Sequence, residues 1–300
     1  MTGVPVGDHG GDGARLAAAL GVDIDEVLDL SASLNPCAPD VAPIVVRHLD
    51  ALGRYPDDTA ATAAVAEMVG VEPERLVLTN GGAEAIALVA ALHPVGWADD
   101  CDFSLYRRHL ARCEPGEPRW MSDPNNPTGR LAADGETAFV RDEAFYVLAT
   151  GRWTRGDAGC WVMGSLTKAF ACPGLRMGYV IAPDDRGADA VRALRPRWSV
   201  GGLESAVLPD LVELADPVGW RDGIAELRRQ LVTLLADHGL IAEPAAANYV
   251  WIPDAPGLRD ALAARRVLVR SGGSFGHPDA VRIAVPDERG LTRLAAALSS

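Results

Sequence analysis

Short apolar runs alternate with helix-like segments over the first two thirds of the chain. The runs at 75–79 (RLVLT), 160–164 (CWVMG) and 177–182 (MGYVIA) predict strands, and the alanine-rich segment 82–92 predicts a helix. Strands that alternate with helices are typical of a mostly parallel sheet covered by helices. This pattern predicts an α/β fold around a mixed, mostly parallel sheet.

From about residue 202 onward the hydrophobic pattern changes to that of an amphipathic helix. Gly239 favours the end of this helix. One helical face carries Ile224, Leu227, Leu231, Leu234 and Leu235. The remaining sequence predicts strand, helix, strand, strand and helix, in the segments 247–254, 257–267, 268–272, 280–285 and 288–298. We therefore expect a large domain at residues 41–200 and a small α+β domain made of residues 1–40 and 201–300.

Charge and composition argue against two kinds of partner. The 300 residues carry 41 acidic and 28 basic side chains, so no basic stripe is available to neutralise nucleic-acid phosphates. Apolar stretches are interrupted within about a dozen residues, whereas a membrane span needs roughly 20. The polar, glycine-rich start MTGVPVGDHGGDG is unlike a signal peptide. We expect neither a nucleic-acid partner nor a membrane span.

The five cysteines favour a reducing environment. Their number is odd, and none of them forms a C-x-x-C pair or another metal-ligand spacing. This pattern favours reduced thiols in a cytoplasmic protein over a disulfide framework, and it predicts no metal site.

Lys168 is the only lysine in the sequence. It lies in GSLTKAFACPGLRMGY (164–179), three residues after Ser165 and eight residues before Arg176. Arginine keeps its proton at working pH, whereas a partly buried lysine can lose it. A deprotonated amine is what covalent bonding to an aldehyde requires. A functional role is therefore favoured over that of an ordinary surface lysine.

The segment SLTKAFACPGLRMGY (165–179) resembles the lysine motif of fold-type I pyridoxal-phosphate (PLP) enzymes, the class I/II aminotransferase superfamily. Its sequence is most similar to that of the branch that contains threonine-phosphate decarboxylase and histidinol-phosphate aminotransferase. The resemblance implies an aspartate aminotransferase-like fold and pyridoxal 5′-phosphate as cofactor. It also implies that Lys168 bonds to the cofactor aldehyde and that Ser165 and Arg176 bind its phosphate. A hydroxyl donor and a guanidinium fork suit that last role.

Two further stretches match the same superfamily in order. TNGGAEAI (79–86) predicts a strand, a glycine turn and a helix start, where free N–H groups can hold a phosphate. The resemblance implies that Gly82, Ala83 and Glu84 lie at the phosphate and the ring edge. In PNNPTG (124–129), it implies that Asn126 donates to the phenolate oxygen of the ring.

The stretches DEAF (142–145) and DFSLY (102–106) complete the implied ring site. The resemblance implies that Asp142 pairs with the pyridinium nitrogen and keeps the ring protonated, which makes the ring an electron sink. It also implies an aromatic residue stacked on the ring, for which Phe103 is the first candidate and Tyr106 the second. Core packing is the alternative role for either aromatic residue.

The resemblance extends to the substrate and to a second subunit. Tyr55 in RYPDD (54–58) matches a tyrosine that reaches the cofactor phosphate of the neighbouring subunit, which implies a homodimer. Arg282 is implied as the fork for the substrate α-carboxylate, with a surface ion pair as the alternative. Asn248 is also implied to face the substrate. The segments HGGDG (9–13) and LSASLNP (30–36), which resemble the decarboxylases, make His9 and Asn35 weaker candidates for substrate contact.

Two features depart from the superfamily pattern. Phe145 stands where many relatives carry a tyrosine, and phenylalanine also occurs in the decarboxylase branch. Only 12 residues separate Gly129 from Asp142, too few for a strand, a helix and two turns. We expect a shortened large domain that has lost at least one covering helix, with an edge strand as a second candidate.

Three functions are compatible with these residues. The first is a PLP enzyme that acts at Cα of a small, phosphorylated amino acid, resembling L-threonine-O-3-phosphate decarboxylase of cobalamin biosynthesis. The second is a class I/II aminotransferase of the histidinol-phosphate type. The third is a PLP-binding or regulatory protein that has lost turnover. The wording of the motifs places the decarboxylase slightly ahead.

Overall fold

The computed structural model describes residues 9–156 and 159–299. The helices are α1 (Gly13–Leu20), α2 (Ala42–Arg47), α3 (Thr59–Val69), α4 (Gly81–Leu92), α5 (Leu105–His109), α6 (Tyr146–Thr150), α7 (Leu166–Ala169), α8 (Asp185–Leu194), α9 (Gly202–Glu213), α10 (Pro217–Asp237), α11 (Leu258–Ala263) and α12 (Glu288–Leu298). The strands are β1 (Leu28–Asp29), β2 (Leu76–Asn80), β3 (Val95–Gly96), β4 (Arg112–Cys113), β5 (Trp120–Ser122), β6 (Val140–Asp142), β7 (Trp161–Ser165), β8 (Met177–Ile181), β9 (Tyr249–Ile252), β10 (Val267–Leu268), β11 (Arg270–Ser271) and β12 (Val281–Ala284).

The large sheet is mixed and mostly parallel, as the sequence predicts. Its strand order is β2-β8-β7-β6-β5, in which β5, β6 and β7 are parallel and β8 is antiparallel to both of its neighbours. A parallel bridge between Trp97 and Arg119 extends the sheet to the parallel pair β3-β4. The strands therefore bring the ends of β2, β6 and β7, which carry the predicted cofactor residues, into one region.

Both faces of the large sheet are buried. Along β2, Leu76 and Leu78 join one apolar cluster with α3 and α9, whereas Val77 joins a second cluster with α4 and α8. Successive strand residues point to opposite faces, so this division requires cover on both sides. The continuous apolar run of each strand, without alternation, is typical of such doubly covered strands.

The connection between β5 and β6 is short and contains no helix. Residues 123–139, all of them described, connect β5 to β6 without a helix. In that connection Arg119 pairs with Glu136 at 2.6 Å, and Arg155 pairs with the buried Asp123 at 2.9 Å. The expected loss of a covering helix is thus confirmed, and side-chain ion pairs hold the remaining loop to the sheet.

The C-terminal part forms smaller sheets against a long helix. Strands β11, β12 and β9 form an antiparallel sheet, and β1 pairs with β10 in parallel. Helix α10 ends one residue before His238, and Gly239 adopts a left-handed conformation just beyond it, so the predicted helix end is confirmed. On its predicted apolar face Ile224, Leu231 and Leu235 are fully buried.

The division of the chain at residue 200 remains a proposal. Helix α9 and the first half of α10 pack against the apolar cluster of the large sheet. The second half of α10 packs with α12 against the smaller sheets. Residues 1–8 of the proposed small domain lie outside the described residues. Among the residues described, no helix combines the length and the apolar character that a bilayer crossing requires.

Candidate active site

The start of α4 forms a cradle with two side chains from other elements. Gly81 has φ of +73°, and a Cβ atom there would lie 2.4 Å from a guanidinium nitrogen of Arg176. A Cβ on Gly178 would lie 2.6 Å from the carbonyl carbon of Gly81. The positive φ at Gly81 and the close main-chain approach at Gly178 both favour glycine. Ser165 lies across from Gly82, whose Cβ would be 3.8 Å from that of the serine.

The donors of this cradle have few partners of their own. Among the described residues, neither the Arg176 guanidinium nor the Ser165 hydroxyl makes a hydrogen bond or an ion pair. Gly82 and Ala83 lie in the first turn of α4, where main-chain N–H groups have no partner within the helix. The Glu84 carboxylate instead accepts the N–H of Asn80 at 2.6 Å. The cradle is thus a set of hydrogen-bond donors that suits a phosphate.

Asp142 lies at the end of β6 and is held by two donors. Tyr106 donates its hydroxyl to Oδ2 at 2.8 Å, and the N–H of Ala144 donates to Oδ1 at 3.0 Å. Burial raises the pKa of the Asp142 carboxyl, and these two hydrogen bonds partly oppose that shift. A cationic ring nitrogen beside the carboxylate would compensate its burial.

Asn126 connects the predicted ring site with the predicted substrate site. Its side-chain oxygen accepts a short hydrogen bond from Nη1 of Arg282, and its N–H donates to Oγ of Ser122 at 2.8 Å. The side-chain amide nitrogen of Asn126 is the polar group that remains for the cofactor. It is a donor, as the predicted role requires.

Lys168 follows β7 in the short helix α7, and its amine donates to the carbonyl oxygen of Ala32 at 2.6 Å. Burial, together with the charges of Arg282, Arg176 and Arg270, lowers the pKa of the amine to about 7. The amine therefore loses its proton far more easily than that of a surface lysine.

Arg282 and Arg270 lie directly opposite each other on β12 and β11. Both are buried, with exposed fractions of 2% and 7%. The guanidinium of Arg282 lies 4.7 Å above the ring of Tyr249 and donates to the carbonyl oxygen of Ser31 at 3.0 Å. Burial lowers the pKa of Arg282 to about 10. The guanidinium of Arg270 lies 4.6 Å from the ring centre of Phe275.

The aromatic candidates differ in their surroundings. Phe103 is partly exposed, and its ring meets those of His9 and Tyr106 edge to face, with each pair of centroids 5.8 Å apart. Tyr106 is fully buried, and its hydroxyl is bonded to Asp142. Phe145, the departure from the superfamily pattern, packs edge-on against Tyr249 at 5.0 Å.

Asn35 and Asn248 hold the main chain around Lys168. Asn35 donates its side-chain amide to the carbonyl oxygen of Ala169 at 2.8 Å, and its side-chain oxygen accepts the N–H of Cys37. Asn248 donates to the carbonyl oxygens of Ser33 and Leu34 at 2.9 and 3.1 Å. In this arrangement both asparagines anchor the segment 31–35, which we call the strap.

Tyr55 lies apart from the other predicted site residues. Its side chain is 79% exposed and stacks on Trp198, with ring centroids 4.6 Å apart. Its predicted role in a neighbouring subunit stays a prediction.

Three site features are not recognisable in the sequence because they depend on tertiary contacts. Arg270 lies within a predicted strand, but only the register of β11 with β12 places it opposite Arg282. The Tyr106–Asp142 bond joins residues that are 36 positions apart. The carbonyl oxygens of the strap carry no residue-specific signal.

The residues present fit pyridoxal 5′-phosphate. The cradle at Gly81 offers unpaired donors to a phosphate, Asp142 offers a carboxylate to a cationic ring nitrogen, and Lys168 offers an amine of lowered pKa to an aldehyde. These are the three polar ends of that cofactor, and the strand ends place them around one region.

Known proteins give the same assignment. The family model for aminotransferase class I and II matches residues 99–298. Histidinol-phosphate aminotransferase 1 of Dechloromonas aromatica is 25% identical, with 95% of this chain and 92% of that protein aligned. Threonine-phosphate decarboxylase of Salmonella typhimurium is 28% identical, with 95% of each aligned.

Solved structures agree on the fold. Histidinol-phosphate aminotransferase from Sinorhizobium meliloti, solved in complex with pyridoxal-5′-phosphate, superposes with a TM-score of 0.79 at 17% identity, over 95% of this chain and 93% of that one. L-threonine-O-3-phosphate decarboxylase from Porphyromonas gingivalis gives 0.73 at 18% identity, over 91% and 98%. Because the family model covers two thirds of the sequence, the chain belongs to the aminotransferase class I and II family and is a pyridoxal-phosphate-dependent enzyme.

Proposed function

We propose that this enzyme acts at Cα of a small, phosphorylated amino acid and resembles L-threonine-O-3-phosphate decarboxylase of cobalamin biosynthesis. The observation that carries this proposal is the pair of buried arginines, Arg270 and Arg282, opposite each other beside Lys168. One substrate anion needs one guanidinium fork, and two forks side by side suit a substrate with two anionic groups. An amino acid phosphate has both a carboxylate and a phosphate.

The residues divide the work as follows. Arg282 binds the α-carboxylate, and Arg270 binds the phosphate. Asp142 stays ionised beside the ring nitrogen, and Asn126 donates to the phenolate oxygen. The bound cofactor supplies an electron sink for the bond broken at Cα. Lys168, with an amine that titrates near neutral pH, moves a proton to or from Cα.

The choice between decarboxylation and transamination depends on which Cα bond stands perpendicular to the ring. The early segment supports decarboxylation, because it resembles the decarboxylases and lies on the strap. Gly11 donates to Oγ of Ser31 at 2.9 Å, and Ser31 in turn accepts from Arg282. The α-carboxylate is thus held next to a part of the chain that differs between the two activities.

A histidinol-phosphate-type aminotransferase is the second candidate, since several similar proteins carry that name. A PLP-binding protein without turnover is the third. The lowered pKa of Lys168 argues against it, because a binder does not need a titrating amine.

Incubation of the PLP-loaded enzyme with L-threonine O-3-phosphate separates the three. We expect carbon dioxide and a primary amine in which a proton has replaced the carboxylate at Cα. Conversion of histidinol phosphate with 2-oxoglutarate to a carbonyl product and glutamate would instead support the aminotransferase. Inertness toward every phosphorylated amine, with PLP bound, would support the binder.

We also propose a homodimer in the cytoplasm. Large apolar side chains are exposed in the segment that leads to Tyr55 and at its stacking partner: Val46, Leu49, Leu52 and Trp198 are between 48% and 68% exposed. Such a surface is typical of an interface. The five cysteines are free thiols, as expected in a reducing compartment. Analytical ultracentrifugation of the protein and of Leu52→Glu tests the dimer, which the substitution should weaken.

A further inference from the structure

A second buried carboxylate, Asp102, lies in the layer of residues around the proposed cofactor ring. Its exposed fraction is 2%, and among the described residues no basic side chain pairs with it. A buried carboxylate without an ionic partner is costly, so its retention calls for a role. Nothing in the proposed chemistry uses Asp102.

Three donors converge on this carboxylate. Oδ1 accepts the N–H of Phe103 at 2.7 Å and the hydroxyl of Ser122 at 2.5 Å, and Oδ2 accepts the N–H of Ser122 at 3.2 Å. Two donors are main-chain groups, so the carboxylate fixes the backbone at Phe103 and at Ser122. These positions lie 19 residues apart and in different elements.

The hydroxyl of Ser122 passes this constraint on to Asn126. A hydroxyl has one proton, and Ser122 donates it in a hydrogen bond to Asp102. The lone pairs of the Ser122 oxygen are therefore left to accept the main-chain N–H of Asn126 at 2.8 Å. Without an acceptor at position 102 the hydroxyl could rotate, and the direction of this hydrogen bond would no longer be fixed.

We propose that Asp102 is a positioning residue of the cofactor site. Its carboxylate fixes the positions of two residues: Phe103, the aromatic residue against the ring face, and Asn126, the donor to the phenolate oxygen. The inference rests on the proposed roles of these two residues. Asp102 itself touches neither the cofactor nor the substrate. It acts through the backbone of Phe103 and through Ser122.

The electrostatics of the site support this role. Burial, with a smaller contribution from the charge of Asp142, raises the pKa of Asp102 to about 7. The other titratable groups that interact with Asp102 are Cys101, Tyr106 and Tyr249. None of them offers a positive charge, so this carboxylate is retained at a cost to folding. Such a cost is typical of groups kept for a function rather than for stability.

The test measures the affinity of the apoprotein for pyridoxal 5′-phosphate by tryptophan fluorescence at pH 8. Asp102→Asn removes the charge and turns an amide N–H toward the N–H of Ser122, so we expect about tenfold weaker binding. Ser122→Ala should give a similar loss, and the double variant should lose less than the two single losses combined. Asp100→Asn is the matched control, because its fully exposed side chain lies two residues away.

A second readout separates positioning from mere structural support. The urea midpoint of the Asp102→Asn apoprotein at pH 8 should not fall, although its cofactor affinity does. A lower midpoint in parallel with the lost affinity would overturn the proposal. If Asp102→Asn does not fold, Ser122→Ala decides, because it leaves the carboxylate in place and removes only the connection to Asn126.

The inference and the proposed function can fail separately. Wild-type affinity in Asp102→Asn, together with weakened binding in Asn126→Ala and Phe103→Ala, would remove the role of Asp102 alone. Wild-type affinity in all three variants would remove the assignment of the cofactor contacts as well.

Discussion

The side-chain amine of Lys168 donates a 2.6 Å hydrogen bond to the carbonyl oxygen of Ala32, 136 residues earlier in the chain. The neighbouring strap carbonyl, from Ser31, accepts from Arg282. The strap therefore accepts hydrogen bonds from the reactive amine of Lys168 and from the proposed carboxylate fork of Arg282 at the same time. Lys168 must exchange this partner to bond to an aldehyde, and Arg282 must shift one donor to hold a carboxylate.

The lowered pKa of Lys168 predicts the pH dependence of cofactor capture. Only the neutral amine attacks an aldehyde, so the rate constant for capture should rise with pH up to about 7 and then level off. With an ordinary lysine, whose pKa is 10.5, the rate constant for capture would keep rising through pH 9. Stopped-flow absorbance after mixing apoprotein with PLP measures this rate.

The variant Lys168→Ala is the control for that experiment. It contains no lysine at all, so the visible absorption band that follows covalent capture, and its bleaching by borohydride, should both disappear. A capture rate still rising tenfold per pH unit between pH 8 and 9 would contradict the lowered pKa.

Asp29 is predicted to keep the pKa of Lys168 from falling further. Its carboxylate accepts from Gly13 at 3.0 Å and from the N–H and hydroxyl of Ser31, and its negative charge raises the pKa of the lysine. In Asp29→Asn the amine should therefore titrate at lower pH than in the wild type. Competitive acetylation of the single lysine, followed by mass spectrometry of the apoprotein, gives its pKa directly.

Asp25→Asn serves as the matched control, since this exposed carboxylate lies four residues before Asp29 on the same segment. An unchanged titration in Asp29→Asn would show that its charge does not reach Lys168. Asp29→Asn should also raise the KM of the substrate, because the early segment loses the hydrogen bond that anchors Gly13 to Asp29.

The sequence predicts the fold well because its signals are local. The buried runs of β2, β7 and β8 depend on neighbouring residues, and their predicted ends lie within one residue of the observed ones. The periodicity of α10 is equally local, but the helical segment predicted from about residue 202 is in fact divided into α9 and α10, which begins only at Pro217. The tail helix α11 is shorter than predicted, since it ends at Ala263 and the chain turns at Arg266, where φ is positive. The sequence alone does not reveal that turn.

The sequence predicts only part of the site, because some of its residues are brought together by contacts between distant parts of the chain. Lys168, Asp142 and Arg176 stand in contiguous motifs, whereas Arg270 and Asp102 acquire meaning through contacts across strands and loops. Arg270 depends on strand register, and Asp102 depends on a connection between β5 and α5 that no local pattern specifies. Such residues can be found only when the chain is folded.

Arg270 is predicted to select for the phosphate of the substrate. Arg270→Gln keeps a hydrogen-bond donor but removes the fork and the charge, and loss of a buried charge-assisted contact costs about 2–3 kcal/mol. We expect kcat/KM for L-threonine O-3-phosphate to fall about 30- to 150-fold, at 1.4 kcal/mol per factor of ten.

Unphosphorylated L-threonine is the control substrate for Arg270→Gln. Its slow turnover should change little, because it has no second anion to lose. Arg282→Gln, in contrast, should lower the turnover of both substrates, since both carry the α-carboxylate. Equal losses for the two substrates in Arg270→Gln would contradict a phosphate-binding role.

Asp102→Asn is predicted to change the pH dependence of folding stability. The pKa of Asp102 is about 7 in the folded protein and near 3.8 when unfolded, so the folded state binds the extra proton between these values. The free energy of unfolding therefore falls as pH rises from about 4 to 7, and the loss is complete above pH 7. At about 1.4 kcal/mol for each pKa unit, the full loss is about 4 kcal/mol.

Asparagine removes this penalty but forfeits one hydrogen bond, worth about 1 kcal/mol. The apoprotein of Asp102→Asn should consequently be about 3 kcal/mol more stable than the wild type in urea unfolding at pH 8. The two proteins should converge toward pH 5, where the wild-type carboxyl holds its proton. A variant that is less stable than the wild type at pH 8 would mean that the three hydrogen bonds outweigh the cost of burying the charge. Asp102 would then be a structural anchor that stabilises the fold, and the argument from its cost to folding would be lost.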